Sequence, residues 1–283
     1  MEKVTIINQD TAASIEFSST YPYLLGEITG IGEADIIPQS DDACGINGSI
    51  RRAPPEMGER YPKFDFWIQA STHAGLHTMR KGLYDVIDAQ SEKELIFVYE
   101  NDGAKYRLLV DCIYGPVPLS KKGKDRTLLE QHFEVGFVAY QPLWESYTES
   151  YAAINSLGSL SGYGELINSG QAPTPIRFEF TGAMTAFSVY TIVNDDLLTL
   201  VPDEKIEVDY ALASGEQLVI DTSERAPSVT FIDTSGNKED AFDKISADTD
   251  FFMLKKGSHW IAAEVATGSF TGVAYWRNRF KGV

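Results

Sequence analysis

Cysteine is almost missing from this chain of 283 residues, where Cys44 and Cys112 stand alone. Two thiols cannot make a disulfide framework, and no Cys-x-x-Cys spacing exists for zinc or redox chemistry, so both are read as reduced, half-buried groups. Positive charge is scarce too. Lysine and arginine total 24 against 41 acids, a net charge of −17. Phosphate binding needs clustered cations that displace counterions, so stable nucleic-acid binding is excluded and anionic membrane surfaces are disfavoured. No apolar run approaches the ~20 residues of a membrane span. The start, Met1 to Asn8, lacks the apolar core of a signal peptide, which predicts synthesis and folding in a cytoplasm.

Catalytic motifs are equally thin. Gly158-Ser159-Leu160-Ser161-Gly162 has the outline of a nucleophile elbow, but Leu160 stands where the serine must be. No glycine-rich phosphate loop follows a strand, so nucleotides have no cradle. His73 and His77 share a helix face four residues apart, yet the glutamate of a zincin is absent. His132 and His259 have no third-ligand spacing. Asp233, Ser235, Asn237 and Glu239 alternate oxygen ligands, but the glycine and the terminal carboxylate of a calcium loop are misplaced, so a solvated turn is the reading. Carboxylate pairs for glycoside hydrolysis carry no specific signal among 41 acids. The expectation is a protein without catalytic residues, metal or cofactor.

What the chain does hold is strand pattern. Hydrophobic residues make up 43% and charged residues 23%, ordinary for a folded chain, and the length favours two domains. Asn155 to Pro175 has four Gly, four Ser and two Pro and is read as the linker. Leu157, Leu160, Leu166 and Ile167 interrupt it, so part of it adds a strand or lies on a surface. This gives domains at 1–154 and 176–283.

Before the linker, Phe64, Phe66 and Ile68 alternate with polar positions as in a half-buried strand, with Trp67 on the polar face covering a neighbour. Leu76, Met79, Leu83, Val86 and Ile87 draw one stripe down a helix from about Ser71 to Asp88, capped by Ser71 or Thr72. Leu95 to Tyr99, Asn101-Asp102-Gly103 and Tyr106 to Ile113 form a hairpin, and Gln131 to Ala139 a further strand. After the linker come eight short strand candidates. They are Ile176–Phe180, Ser188–Val193, Lys205–Tyr210, Gln217–Asp221, Val229–Ile232, Phe251–Leu254, Trp260–Val265 and Val273–Trp276, spaced as in an antiparallel sandwich.

Several short pieces resemble one family. Tyr23-Leu24-Leu25, Ile28-x-Gly30-Ile31-Gly32 and Arg60 precede the Phe64 strand. Phe133-x-Val135-x-Phe137-x-Ala139 runs into Pro142-Leu143-Trp144. Asn168-Ser169-Gly170, Pro175-Ile176, Ile220-Asp221-Thr222 and Leu254-x-x-Gly257 follow, with a strand from Trp260. In this order the pieces are similar to the distal tail (Dit) proteins of tailed bacteriophages. The resemblance implies a mainly β protein, with an N-terminal β-rich domain carrying one α-helix and building a hexameric ring. It also implies a C-terminal galectin-like antiparallel β-sandwich. The implied role is a structural hub of the virion tail tip, made and assembled in the host bacterial cytoplasm. Its implied partners are copies of itself, the tail tube protein, a tail-associated lysin or fibre protein and receptor-binding components of the baseplate.

Two surfaces follow as expectations. Asp35 to Pro62 has few apolar residues and carries Arg51, Arg52 and Arg60 in an acidic chain. It is read either as a loop or as an arm whose arginines meet acids of the next subunit. Trp260, Tyr275 and Trp276 are candidate sugar or partner contacts, although aromatics in sandwich strands commonly serve the core. The competing functions are a carbohydrate-binding sandwich that aids host-surface attachment and a sandwich hydrolase. The missing signal peptide counts against a free-standing form of the first, and the missing nucleophile and base against the second.

Overall fold

Asp102 and Gly103 both hold positive φ, 49° and 86°, which is the backbone of a two-residue primed turn that matches the twist of its flanking strands. The turn pairs Leu95–Asn101 with the long strand Ala104–Pro118, as the Asn-Asp-Gly signal predicts. A computed structural model describes residues 1–32, 34–42, 49–51, 56–118, 126–127, 129–154, 161–192 and 202–283. Among these residues it is mainly β with one α-helix, and the chain divides into two compact units. The first is Met1–Tyr147 together with Phe280–Val283, and the second is Thr148–Arg279.

In the first unit the hairpin belongs to a sheet whose path is Ser14–Phe17, Lys3–Ile7, Leu95–Asn101, Ala104–Pro118, Glu130–Val138, Lys63–Gln69 and Tyr23–Thr29. The end strands meet, because Ser18 bridges Leu24 and the Leu25 amide donates to the Ser18 carbonyl at 2.7 Å. Closing a sheet this way removes the open edges that invite aggregation. Register shifts near Tyr114 bend Ala104–Pro118, the usual device by which one strand turns a corner. Phe64, Phe66 and Ile68 stand beside Phe133, Val135 and Phe137 of the adjacent strand, on the side turned to a buried interior that Phe17, Phe97 and Trp144 complete. The rings of Phe66 and Phe133 stack at 5.5 Å and that of Phe17 meets Phe66 edge-on at 4.7 Å. The helix His73–Val86 lays Leu76, Met79, Leu83 and Val86 against this core. Thr72 caps it by accepting from the Gly75 amide at 3.0 Å.

The second unit is an antiparallel sandwich. One sheet runs Ser150–Ala153, Thr271–Trp276, Ile176–Thr181, Gln217–Asp221, Ser228–Ile232 and Lys238–Asp240. The other runs Ser161–Asn168, Gly257–Gly268, Met184–Ile192 and Pro202–Leu212. Ile176, Phe178, Phe180, Leu218, Ile220 and Trp276 of the first sheet pack on Leu166, Phe187, Val189, Ile206, Val208 and Ile261 of the second, the alternation expected of two facing sheets.

Ser161–Asn168, inside the stretch read as linker, is a regular strand paired along its length with Gly257–Gly268, the first of the two alternatives left open for part of that stretch. Gly164 is required there for close packing: a Cβ would sit 2.8 Å from the Ala153 carbonyl oxygen. Phe251–Leu254 is not a strand, since only Leu254 pairs, forming an isolated bridge with Thr174. Phe252 and Leu254 are buried as alternating apolar residues should be, so the side-chain pattern is right and the ladder is missing.

Candidate functional site

Three buried polar knots carry most of the residues that the sequence singles out. In the first unit Arg60 is 2% exposed. Its Nε donates to the Pro142 carbonyl at 2.8 Å, and one terminal nitrogen donates to the Lys281 carbonyl at 2.7 Å. The other terminal nitrogen donates to the Gly32 carbonyl. The guanidinium lies 5.7 Å from the centre of the Trp144 ring, whose Nε1 donates to the Ile31 carbonyl at 3.1 Å. The Gly30-Ile31-Gly32, Arg60 and Pro142-Leu143-Trp144 pieces thus meet at one point. Arg60 is a core clamp and not an arm residue, because its fork is committed to carbonyls of its own unit. Arg52 lies outside the described residues. Arg51 belongs to the strand Ser49–Arg51, which pairs with Ser40–Asp42.

Two more knots sit in the second unit. Asn168, 1% exposed, donates to the carbonyls of Ala172 at 3.0 Å and Leu254 at 2.9 Å, and accepts from the Gly170 amide at 2.8 Å. Thr222 accepts from the Ile176 amide at 2.8 Å through its hydroxyl. The family-like pieces Asn168-Ser-Gly, Pro175-Ile176, Ile-Asp-Thr222 and Leu254-x-x-Gly are therefore fastened to one another. Their chemistry is saturation of buried backbone.

The aromatic candidates do not assemble into one site. Trp276 is 5% exposed and in the core, its Nε1 donating to the Ile167 carbonyl at 3.2 Å. Trp260 packs with Tyr190 and Ala262 on the outer side of the four-stranded sheet. Tyr275 alternates with core residues Ala274 and Trp276 and so faces outward from the six-stranded sheet. Trp260 and Tyr275 thus lie on opposite faces of the sandwich. Tyr151, which the sequence reading passed over, stands beside Tyr275 with its ring 6.4 Å away.

His73 and His77 are exposed on the first turns of the helix. Among the described residues no group of three His, Cys, Asp or Glu is placed to hold a metal ion. His132 is 2.5 Å from Asp65 and stacks on Trp67 with ring centres 4.1 Å apart, so Trp67 covers its neighbour as its strand position predicts. Close by, Glu27, Thr29, Lys63, Phe64, Asp65 and Glu134 line an open pocket of about 220 Å³. Asp233 closes its own turn by accepting from the Ser235 and Asn237 amides. Those bonds and that from the Asn237 side chain hold its carboxyl below the usual range.

Two groups are displaced away from neutrality. Burial first, then the bond to Glu2, pushes Tyr99 up to about 12, and burial pushes the Cys112 thiol up to about 11. General acids and bases are tuned towards the working pH, the opposite direction. One measurable consequence concerns Cys112. With Cys44 replaced by serine, the native protein should react with a maleimide at pH 8 roughly a hundredfold more slowly than the unfolded chain. Only ~0.1% of a thiol titrating near 11 is thiolate there. Labelling at the unfolded rate would show the site to be open.

Residues 169–280 match the family model described as siphovirus-type tail component, C-terminal domain. This bears out the resemblance to the distal tail proteins. The whole chain also shares its fold with two solved phage proteins. The Dit protein of phage SPP1, described as a paradigm of the hub adsorption apparatus in phages infecting Gram-positive hosts, superposes with a TM-score of 0.67 at 13% identity. That likeness covers 98% of this chain and 99% of the other. A protein of the phage P2 baseplate in its activated conformation has a TM-score of 0.60 at 10% identity, over 100% of both chains. No curated protein sequence matches. The family and the structural neighbours are parts of phage tails and baseplates, not enzymes.

Proposed function

We propose that this protein is a structural hub at the distal end of a phage tail, joining the tail tube to the tip or baseplate. The observation that carries the reading is the agreement of two scales. A tail-domain match covers 169–280, and a hub fold spans the chain end to end. In this reading the first unit builds a ring of six copies and the galectin-like second unit projects to hold lysin, fibre or receptor-binding components. Assembly takes place in the host cytoplasm.

A closed ring needs one surface to grip a different surface of the next copy with a rotation that closes. The Asp35 to Pro62 stretch supports such a grip. Its described parts form two short antiparallel pairings, Ile36 with Met57 and Ser40 with Arg51. Ile36 and Ile37 are 59% and 49% exposed, and Tyr61 beyond these pairings is 54% exposed. Adjacent exposed isoleucines are what an interface covers.

The test is light scattering coupled to size exclusion, followed by electron microscopy. The expected result is a ring with six times the subunit mass, formed alone or on addition of the tail tube protein. A chain that stays monomeric with tube and lysin or fibre proteins present would overturn the hub reading. Exchanging Ile36 and Ile37 for aspartate together should abolish the ring while leaving the monomer folded.

A further inference from the structure

The outer face of the six-stranded sheet carries an ordered row of planar groups. Tyr151 is the direct cross-strand partner of Tyr275, and Tyr275 is the partner of Arg177. The intervening residues Ile176, Phe178, Ala274 and Trp276 go to the core, so the three side chains share the solvent side. The Arg177 guanidinium lies 4.7 Å from the centre of the Tyr275 ring, a cation–π distance. It is fixed there from two sides, by Glu149 at 3.1 Å and Glu179 at 2.8 Å. Glu179 in turn accepts from Gln217 at 3.3 Å. Tyr151 is 74% exposed and contributes little to its own core.

We propose that Tyr151, Tyr275 and Arg177 form a binding site for a neutral oligosaccharide. The Tyr151 and Tyr275 rings, on neighbouring strands, have centres 6.4 Å apart and a 43° tilt, so the two ring faces can meet different residues of one glycan chain. The electron-rich ring faces suit the C–H faces of pyranoses. Glu149 and Glu179 offer acceptors and the guanidinium offers donors to neighbouring hydroxyls, and their mutual ion pairs fix them before a ligand arrives, which lowers the ordering cost. The rest of the face is also made for hydroxyls. Thr181 and Thr271, both exposed, lie 2.8 Å apart through their oxygens. A protein partner would bury on the order of 800 Å² per side around an apolar centre, and here Glu149, Glu179, Gln217 and the threonine pair stand where that centre would have to be. The same carboxylates and the −17 charge of the chain repel phosphate-bearing polymers.

The site is independent of ring assembly, so the two readings fail separately. The test is titration calorimetry of the full chain with the hexamers of glucose and of N-acetylglucosamine, and with poly(glycerol phosphate) as the anionic probe. Saturable binding of at least one neutral hexamer is expected. Tyr151→Ala should weaken it at least tenfold without moving the thermal unfolding. Tyr163→Ala, on the other sheet, should leave it unchanged. Absence of saturable binding to both hexamers, binding to the anionic probe alone, or equal affinity in Tyr151→Ala would each overturn the site. So would a Tyr151→Ala protein that loses a tail partner while the wild type binds no glycan.

Discussion

Changing Arg60 to glutamate should destabilise the first unit, whatever it does to ring assembly. The side chain is 2% exposed and its three nitrogens donate to the carbonyls of Gly32, Pro142 and Lys281. A carboxylate there would face acceptors that it can only repel. Hydrogen bonds to a charged donor contribute about 1.5–3 kcal/mol each, and removing one side of a buried charged arrangement costs about 3–5 kcal/mol in total. For a unit of this size that is a fall in midpoint on the order of 10 °C. Scanning calorimetry should show the loss in the transition of the first unit alone. An Arg60→Glu protein with unchanged unfolding that no longer forms rings would return Arg60 to the interface.

That prediction reverses the reading the sequence invites, and the reason is general. Composition marks an arginine in a polar, proline-bearing stretch as a surface group, because lone buried cations are rare. Nothing local reveals that Gly32, Pro142 and Lys281 converge on it, since they lie far apart in the chain. Periodicity, by contrast, is local. Phe64, Phe66 and Ile68, the helix stripe from Leu76 to Ile87 and the Asp102-Gly103 turn are all seen as read. The helix starts at His73 with the cap on Thr72, one of the two candidates named. Ser161–Asn168 was legible only as one of two alternatives because glycine signals bending in a sequence, whereas here Gly164 sits where backbone from Ala153 passes too closely for a Cβ. Tyr151 was missed for another reason. Its strand, Ser150–Ala153, is too short to show alternation.

The short family-like pieces of the second half have a common physical meaning, which the change Asn168→Ala exposes. Asn168 uses both ends of its amide, donating to Ala172 and Leu254 and accepting from Gly170, at 2.8 to 3.0 Å. Truncation leaves the Gly170 N–H and the Ala172 carbonyl without this partner in a buried setting. The Leu254 carbonyl keeps only its bond from the Thr174 amide. An unsatisfied buried group costs about 1–3 kcal/mol, so a loss of about 2–4 kcal/mol is expected. Urea unfolding followed by tryptophan fluorescence should show it as a lower midpoint with an unchanged slope. The segment bearing Phe252 and Leu254 has no ladder of its own and relies on Thr174 and Asn168 to stay down. It should therefore be the first to open, and hydrogen exchange at Leu254 should accelerate ahead of the strand Gln217–Asp221. Asn168→Asp keeps the acceptor but loses both donations and should be at least as damaging as alanine. A change below ~0.5 kcal/mol, the size of an ordinary surface substitution, would mean that the Asn-x-Gly piece holds nothing. The second unit would then owe its closure to the apolar core alone.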